Sequence, residues 1–480
     1  MTEPAEARAP AGAPERDLTA PPEPGATQRP PGYGEIARFA LPLMLGMFTF
    51  ALLSVVDAIF IGRLGTDQLA ALGIATIYYY TWLVLFLGLM RNSIAFAARA
   101  FGAGHPERIG PLAAQYQWLA FAGLPWLALA QLAFPAVATA AGLPPQVARH
   151  AEAYLFVRIW DIPFALTLIL YSSLYQALGN SRWPAWVQWG TVMLNGLLDY
   201  ALIFGKFGLP ALGMAGAALA TVIAQAAGAA LIFGTAQLGP LRTRCHLRPL
   251  GAPRPALLKE ILRVGIPQGF GDFIEIAAFL GFFLIVGRLG ADALAANNIG
   301  IQATHLLFMP GFAMGIAASS YMGRFLGAGA PALAERTTLR LLAMGMGYMA
   351  LTGVPLWFFG EAIAAGFTDD PAVIRLAGLV FKVMAFYQVF DAVGMITRGA
   401  LNGAGDTLAP ALIYGALALG VLYPAAYGLS NAVQPGVVGA WLGAALYLAA
   451  IGGAVFWRFR LGNWRRVRLP AAEAGRALAG

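Results

Sequence analysis

Six acidic side chains stand inside stretches that are otherwise apolar: Asp57, Asp161, Asp199, Asp272, Glu275 and Asp391. An ionisable group in hydrocarbon costs at least about 2.5–3.5 kcal/mol and marks a functional candidate by default. A carboxylate stripped of water takes up a proton more readily, and a cation arriving beside it favours the ionised form and expels that proton. Two positive guests competing for one negative charge are the minimum an exchanger requires. Each acid also has a plainer reading, in which it pairs with a buried donor and only holds helices together. For Asp272 the two readings stand level.

Spacing sorts the acids by depth. Asp57 lies five residues before Gly62, about 8 Å from that turn at 1.5 Å per helical residue. Asp199 lies 17 residues after Arg182, about 25 Å from the opposite face. Asn195 is one turn before Asp199 and shares its face, and Thr221 belongs to the next apolar run. Asp57, Asn195, Asp199 and Thr221 form an all-oxygen set, which suits a proton or a hard cation such as Na⁺. Glu275 lies 12 residues before Gly287, and Asp391 lies 12 before Gly403. Each is about 18 Å from its turn, near mid-bilayer. With Tyr387 one turn before Asp391, Asp272 three residues before Glu275, and Gln302 among the polar residues Asn297, Asn298 and His305, they form a second candidate set for a cation or a cationic substrate.

Other charged and aromatic residues read as structural. Arg91 lies about 36 Å along its helix from the outer turn, too deep to meet Asp57, and is expected to reach the inner headgroups. Arg158 and Asp161, three apart, are expected to neutralise each other, with Pro163 kinking the helix that carries them. Tyr78, Tyr79, Tyr80 and Trp82 are expected to pack or to form an interfacial belt. Lysine occurs only at 206, 259 and 382, and none completes a phosphate-binding loop. Neither His-Glu-x-x-His nor Gly-x-Ser-x-Gly occurs, which leaves no common hydrolase signature. An enzyme or an ATP-driven pump is therefore not expected, nor is any cofactor beyond a coupling ion, Na⁺ or H⁺.

The elements that must position these residues are membrane helices. Of 480 residues, 59% are hydrophobic and 11% charged, where a soluble protein has about 25% charged; mean hydropathy is +0.68. Bilayer crossing needs about 20 apolar helical residues, and the long runs lack the period-two alternation of barrel strands. Gly, Pro and charge clusters divide the chain into about twelve helices, near 36–62, 67–100, 108–138, 146–178, 184–208, 212–238, 258–287, 292–326, 332–364, 372–402, 408–430 and 436–460. Residues 1–34 are expected to be a disordered cytoplasmic tail, 239–257 a basic cytoplasmic linker, and 461–480 a basic cytoplasmic tail. The single cysteine, Cys245, permits no internal disulfide and is expected to be an inert thiol.

The two halves, 35–238 and 258–460, are copies. Gly62-Arg63-Leu64-Gly65 recurs 225 positions on as Gly287-Arg288-Leu289-Gly290. Pro42 and Pro267, Arg99 and Arg324, and Gly102-Ala103-Gly104 and Gly327-Ala328-Gly329 keep the same offset. The acids do not repeat: Asp57 corresponds to Phe282 and Glu275 to Phe50. An even number of helices per copy predicts two lobes related by an axis along the membrane normal. Arginines concentrate on the face of the linker and both termini, which places that face in the cytoplasm; the net charge of +8 is thus a matter of membrane orientation and not of nucleic acid.

In order along residues 34–460, the chain resembles the multidrug and toxic compound extrusion (MATE) transporters. The resemblance rests on Leu41-Pro42, Val56-Asp57, Gly62-Arg63-Leu64-Gly65, Leu69-Ala70-Ala71, Gly102-Ala103-Gly104, Leu194-Asn195 through Asp199 to Phe204-Gly205, and Gly216 to Thr221. It continues with Gly265-Ile266-Pro267, Glu275, Tyr387, Asp391 and Gly399 to Gly405-Asp406. It implies two six-helix lobes in a V around a central cavity, in the bacterial inner membrane. It also implies alternating access, with export of drug-like, often cationic or aromatic compounds in exchange for Na⁺ or H⁺, by a chain expected to act as a monomer. The family's first-lobe cation site falls on Asp57, Asn195, Asp199 and Thr221. The second-lobe acids of its NorM-type branch fall on Glu275 and Asp391, beside Tyr387. Asp199 is more similar to the DinF-type branch. Asp272, Arg91 and Asp161 lie outside the pattern. The rival readings are a lipid-linked oligosaccharide flippase of related fold, which needs cations to hold a pyrophosphate, a membrane-embedded enzyme, and a non-transporting scaffold or receptor.

Overall fold

The computed structural model describes residues 29–248 and 250–469. Within them lie twelve long helical units: α1 (Tyr33–Gly62), α2 (Thr66–Gly102), α3 (Pro106–Ala140), α4 (Pro145–Ala177), α5 (Arg182–Phe204), α6 (Gly213–Leu238), α7 (Pro255–Gly287), α8 (Ala291–Gly327), α9 (Pro331–Ala365), α10 (Pro371–Ala404), α11 (Leu408–Ala432) and α12 (Gly436–Arg460). Nine are individually long and apolar enough to cross a bilayer, and α8 adds a tenth when its segments Ala291–Ala303 and Leu307–Gly327 are taken together. The chain is a multi-pass, all-helical membrane protein, as such apolar runs require when the backbone has no water to bond with. The last glycine of each Gly-Arg-Leu-Gly repeat explains its recurrence: Gly65 has φ +144° and Gly290 φ +106°, a backbone that side chains resist. The kink expected at Pro163 is a 3₁₀ turn, Ile159–Asp161, immediately before it.

Two hydrophobic cores divide the twelve helices, and α1 and α7 cross between them. Ile36, Phe39 and Leu43, in the first half of α1, lie in the second lobe's core, with Phe39 edge-on to Tyr321 at 5.4 Å. Ile61, at the far end of α1, lies in the first lobe's core. The mirror arrangement holds for α7: Leu257, Ile261 and Val264 pack in the first lobe and Ala278, Phe282 and Val286 in the second. Ile36 and Ile261, like Ile61 and Val286, are equivalent positions of the repeat. The lobes are therefore interlocked where α1 and α7 begin, and each helix returns to its own lobe toward the other end.

The interlocked end is sealed by a reciprocal backbone contact. A Cβ on Gly102 would stand 1.9 Å from the Arg324 carbonyl oxygen, and one on Gly327 would stand 2.1 Å from the Arg99 carbonyl oxygen. Glycine is the only residue that fits at either place.

Both chain ends differ in part from the tails expected. Residues 1–28 and 470–480 lie outside the described residues, but 29–34 and 461–469 are held against the body. Helix α1 starts at Tyr33, and Arg340 donates to the carbonyls of Pro30 (3.1 Å) and Pro31 (2.7 Å). After α12, Trp464 is fully buried and stacks on Phe459 at 5.5 Å. Arg99 donates to the Val467 carbonyl at 3.0 Å, and Leu469 is buried in the first lobe's core. Basic composition concealed three apolar anchors, Trp464, Val467 and Leu469. The segment between the halves is likewise pinned to α3: Gln115 donates to the Ala252 carbonyl (3.1 Å) and accepts from the Arg254 amide (2.8 Å), and Gly110 donates to the Cys245 carbonyl (2.9 Å). Burial pushes the Cys245 thiol up to about 11.

Candidate functional site

The first-lobe set is assembled by α1, α5 and α6. Asp57 is 7% exposed, and Asn195, Asp199 and Thr221 are fully buried. Asn195 follows the helical face that brings Asp199 inward one turn later. Its Nδ2 donates to Thr221 Oγ1 at 3.2 Å, and Thr221 in turn donates to the Ala217 carbonyl at 3.0 Å. That leaves acceptors without donors. Asp57 Oδ1, Asn195 Oδ1 and both oxygens of Asp199 are buried and receive no hydrogen bond from the described residues. The Asp57 and Asp199 carboxyl groups adjoin each other. Buried acceptors of this kind are costly unless something positive or donating meets them.

The charged neighbours come from α2 and α4. Arg158 lies 3.4 Å from Asp161, as the three-residue spacing predicts. The Tyr79 hydroxyl donates to the other Asp161 oxygen, and Arg158 sits over the Tyr79 ring at 5.2 Å. Tyr79 thus belongs to the polar cluster, unlike Tyr78, whose hydroxyl bonds the Ala130 carbonyl at 2.5 Å. Arg158 is the cation whose field reaches Asp57 and Asp199. With Asp161 taking up that charge, the Asp57–Asp199 pair keeps a surplus of two negative charges when ionised.

The second-lobe set centres on a guanidinium. Arg398 of α10 donates to Glu275 Oε2 at 2.6 Å through Nη1 and to Asp272 Oδ1 through Nη2. The ring of Tyr414 lies under it at 4.5 Å. Asp391, two turns before Arg398 on the same helix, is close enough for the charge of Glu275 to act on it. Tyr387 is buried and stacks on Trp441 at 6.0 Å with rings nearly parallel. Gln302 is exposed. Asn297 is fully buried, and its amide makes no hydrogen bond to the described residues.

Comparison with known proteins decides the family. The MatE family profile matches residues 42–201 and again 267–428, so the two matches start 225 positions apart at Pro42 and Pro267. The chain belongs to the MatE family. It is 30% identical over 452 residues to the multidrug resistance protein NorM of Burkholderia vietnamiensis, covering 91% of this chain and 95% of that one. It is 29% identical over 411 residues to a probable NorM of Thermotoga maritima, covering 85% and 88%. Its fold matches the Vibrio cholerae MATE transporter VcmN in the bent form, with TM-score 0.82 and 21% identity over 90% of this chain and 97% of that one.

Within this MATE fold, one expectation needs correction. Arg91 does not reach for headgroups. It approaches Asp272 of the opposite lobe at 3.8 Å and lies over the Phe312 ring at 4.9 Å. The face of α2 that carries it abuts α7 rather than lipid: a Cβ on Gly88, one turn earlier, would stand 2.5 Å from Gly269 Cα. Glu275 and Asp272 are joined by Arg398, the kind of buried donor that the plainer reading of an acid requires, at a residue the sequence reading did not name. Its seven-residue spacing from Asp391 places the two on one helical face, a signal that was available.

Proposed function

We propose that this MatE protein is a cation-coupled secondary antiporter that exports drug-like, cationic or aromatic compounds by alternating access. In this reading it sits as a monomer in the bacterial inner membrane with both termini cytoplasmic. The observation that carries the reading is the set of four buried, donor-free oxygens on Asp57, Asn195 and Asp199. A proton or Na⁺ would supply what they lack, and its arrival and loss would change the cost of the buried state. In the second lobe, three carboxylates (Asp272, Glu275, Asp391) face two guanidiniums (Arg91, Arg398), which leaves one negative charge for a cationic guest. With the termini cytoplasmic, the Gly102–Gly327 seal closes the inner side, so the arrangement is the outward-facing member of the cycle.

The flippase alternative is disfavoured by the same geometry. Arg91, Arg158 and Arg398 are each committed to a carboxylate, so these three guanidiniums are not free to hold a pyrophosphate.

The test is efflux of ethidium from proteoliposomes under an imposed Na⁺ gradient or an imposed pH gradient, one at a time. Efflux driven by one gradient and abolished by Asp57→Asn is expected. Efflux that follows neither gradient would overturn antiport.

A further inference from the structure

We propose that Arg91 and Asp272 form a relay that carries the occupancy of Glu275, through Arg398, to the contact between the two lobes. The inference rests on the reading that Glu275 receives a cationic guest, and it assigns roles to two positioning residues that lie outside the family pattern.

Asp272 is a carboxylate whose two oxygens meet guanidiniums from different lobes. Its Oδ1 accepts from Arg398 of α10, and its Oδ2 lies 3.8 Å from Arg91 of α2. Arg398 also holds Glu275 at 2.6 Å. The order Glu275–Arg398–Asp272–Arg91 is therefore a continuous chain of alternating charge from a candidate binding residue to the opposite lobe. It ends where the lobes touch: Gly88 and Gly269, each one turn before its charged residue, bring the α2 and α7 backbones together, and a Cβ on Gly88 would lie 3.0 Å from Asp272 Oδ2.

The repeat provides an internal control. At the equivalent crossing of α8 and α1, Arg91 corresponds to Ile316, Asp272 to Met47, Gly88 to Ala313 and Gly269 to Met44. Those four pack in or against the second lobe's core. One crossing is thus apolar and insensitive to charge, whereas the other is charged and connected to Glu275.

The sign follows from competition. While Arg398 divides its two arms between Glu275 and Asp272, Asp272 retains charge for Arg91. A cation or proton on Glu275 takes that acceptor from Arg398, whose charge then falls on Asp272 alone. Two guanidiniums compete for one carboxylate, and the Arg91 contact across the lobes weakens. Loss of the guest restores it.

The test uses the full-length protein in nanodiscs and proteoliposomes, with ethidium as the guest. Spin labels go on Arg63→Cys and Arg288→Cys, exposed equivalent positions at the ends of α1 and α7. In the otherwise native protein, saturating ethidium is expected to shift the label–label distance distribution. Arg91→Gln, which adds one negative charge to the set, is expected to bind ethidium at least as tightly as the native protein, to lose the shift, and to export ethidium roughly tenfold more slowly, a split between binding and coupling. Arg91→Lys, which keeps the charge, is expected to recover at least half of the shift. Asp272→Asn, tested in parallel in case Arg91→Gln misfolds, is expected to lose the shift as well. An unchanged shift and export in Arg91→Gln, or equal loss in the Gln and Lys variants, overturns the relay and leaves the antiporter reading intact. Native ethidium affinity in Glu275→Gln instead removes Glu275 as the guest site, and the relay falls with it.

Discussion

Replacing Gly102 by alanine tests whether the inner seal sets the resting conformation. The added methyl would lie 1.9 Å from the Arg324 carbonyl oxygen, 2.7 Å from its carbon and 2.9 Å from its Cα. Carbon and carbonyl oxygen approach to roughly 3.3 Å at closest, so α2 and α8 must separate there by about 1.4 Å or more. All three atoms are backbone, and no side chain can swing aside. Overpacking of this kind costs about 1–3 kcal/mol, and the cost falls only on the sealed state. The equilibrium should therefore move toward the inward-open state by about 5–150-fold. The assay is the distance distribution between labels at positions 63 and 288, which should gain a shorter population as the outer ends approach. Gly327→Ala, the symmetric position, should act alike. Gly347→Ala, with nothing within 4 Å of its Cβ, should leave the distribution unchanged. If Gly102→Ala behaves like Gly347→Ala, the seal does not hold the lobes together and the mechanical reading is wrong.

Asp57→Asn is expected to abolish drug resistance in cells at unchanged protein level; wild-type resistance in that variant removes Asp57 from the mechanism. Trp464→Ala deletes a fully buried ring stacked on Phe459 and should cost about 3–5 kcal/mol, seen as a lowered unfolding temperature in detergent, whereas a loss within error would mean that residues 461–469 are not anchored. Burial holds the Cys245 thiol near 11, well above the usual range, so less thiolate is present at any given pH than for an exposed cysteine. Maleimide labelling of the folded protein should be slow at pH 7 and rise about tenfold per pH unit toward pH 10, while rapid labelling at pH 7 would contradict the buried environment.

The fold was legible because its main signals are periodic. Apolar runs of bilayer length, glycine turns and a 225-residue repeat located all twelve helices and the two lobes before any contact was known. The first-lobe cluster was legible for a related reason. Asp199 and Asn195 share a helical face, and depth counting put Asp57 in the same half of the bilayer, so one lobe's local geometry sufficed. The second-lobe cluster was only half legible. Glu275, Asp272 and Asp391 were found from their positions, but their partners depend on which face of α2 and α10 meets α7. That is decided by how the lobes dock, and docking is set by backbone contacts at Gly88, Gly269, Gly102 and Gly327, residues that carry no chemical signature.

Charge misled at the boundaries for a physical reason. Positive residues near the cytoplasmic ends of helices obey an orientation rule; that rule absorbed Arg99, snorkelling absorbed Arg91, and Arg398 received no reading. Yet Arg99 is 2% exposed and holds the Val467 carbonyl, and Arg398 bridges two acids. An arginine can satisfy the orientation rule and still bond inward, because its stem is long enough to carry the guanidinium about one helical turn. Partners distinguish the two uses, and the repeat is what exposes them. Where Arg99 has an equivalent in Arg324, the arginine belongs to the shared scaffold. Where Arg91 faces an isoleucine at the equivalent position, the charge exists on one side only, and a structural duty common to both lobes cannot explain it. The asymmetry of charges laid over a symmetric backbone is thus the feature that separates what holds this molecule together from what makes it move.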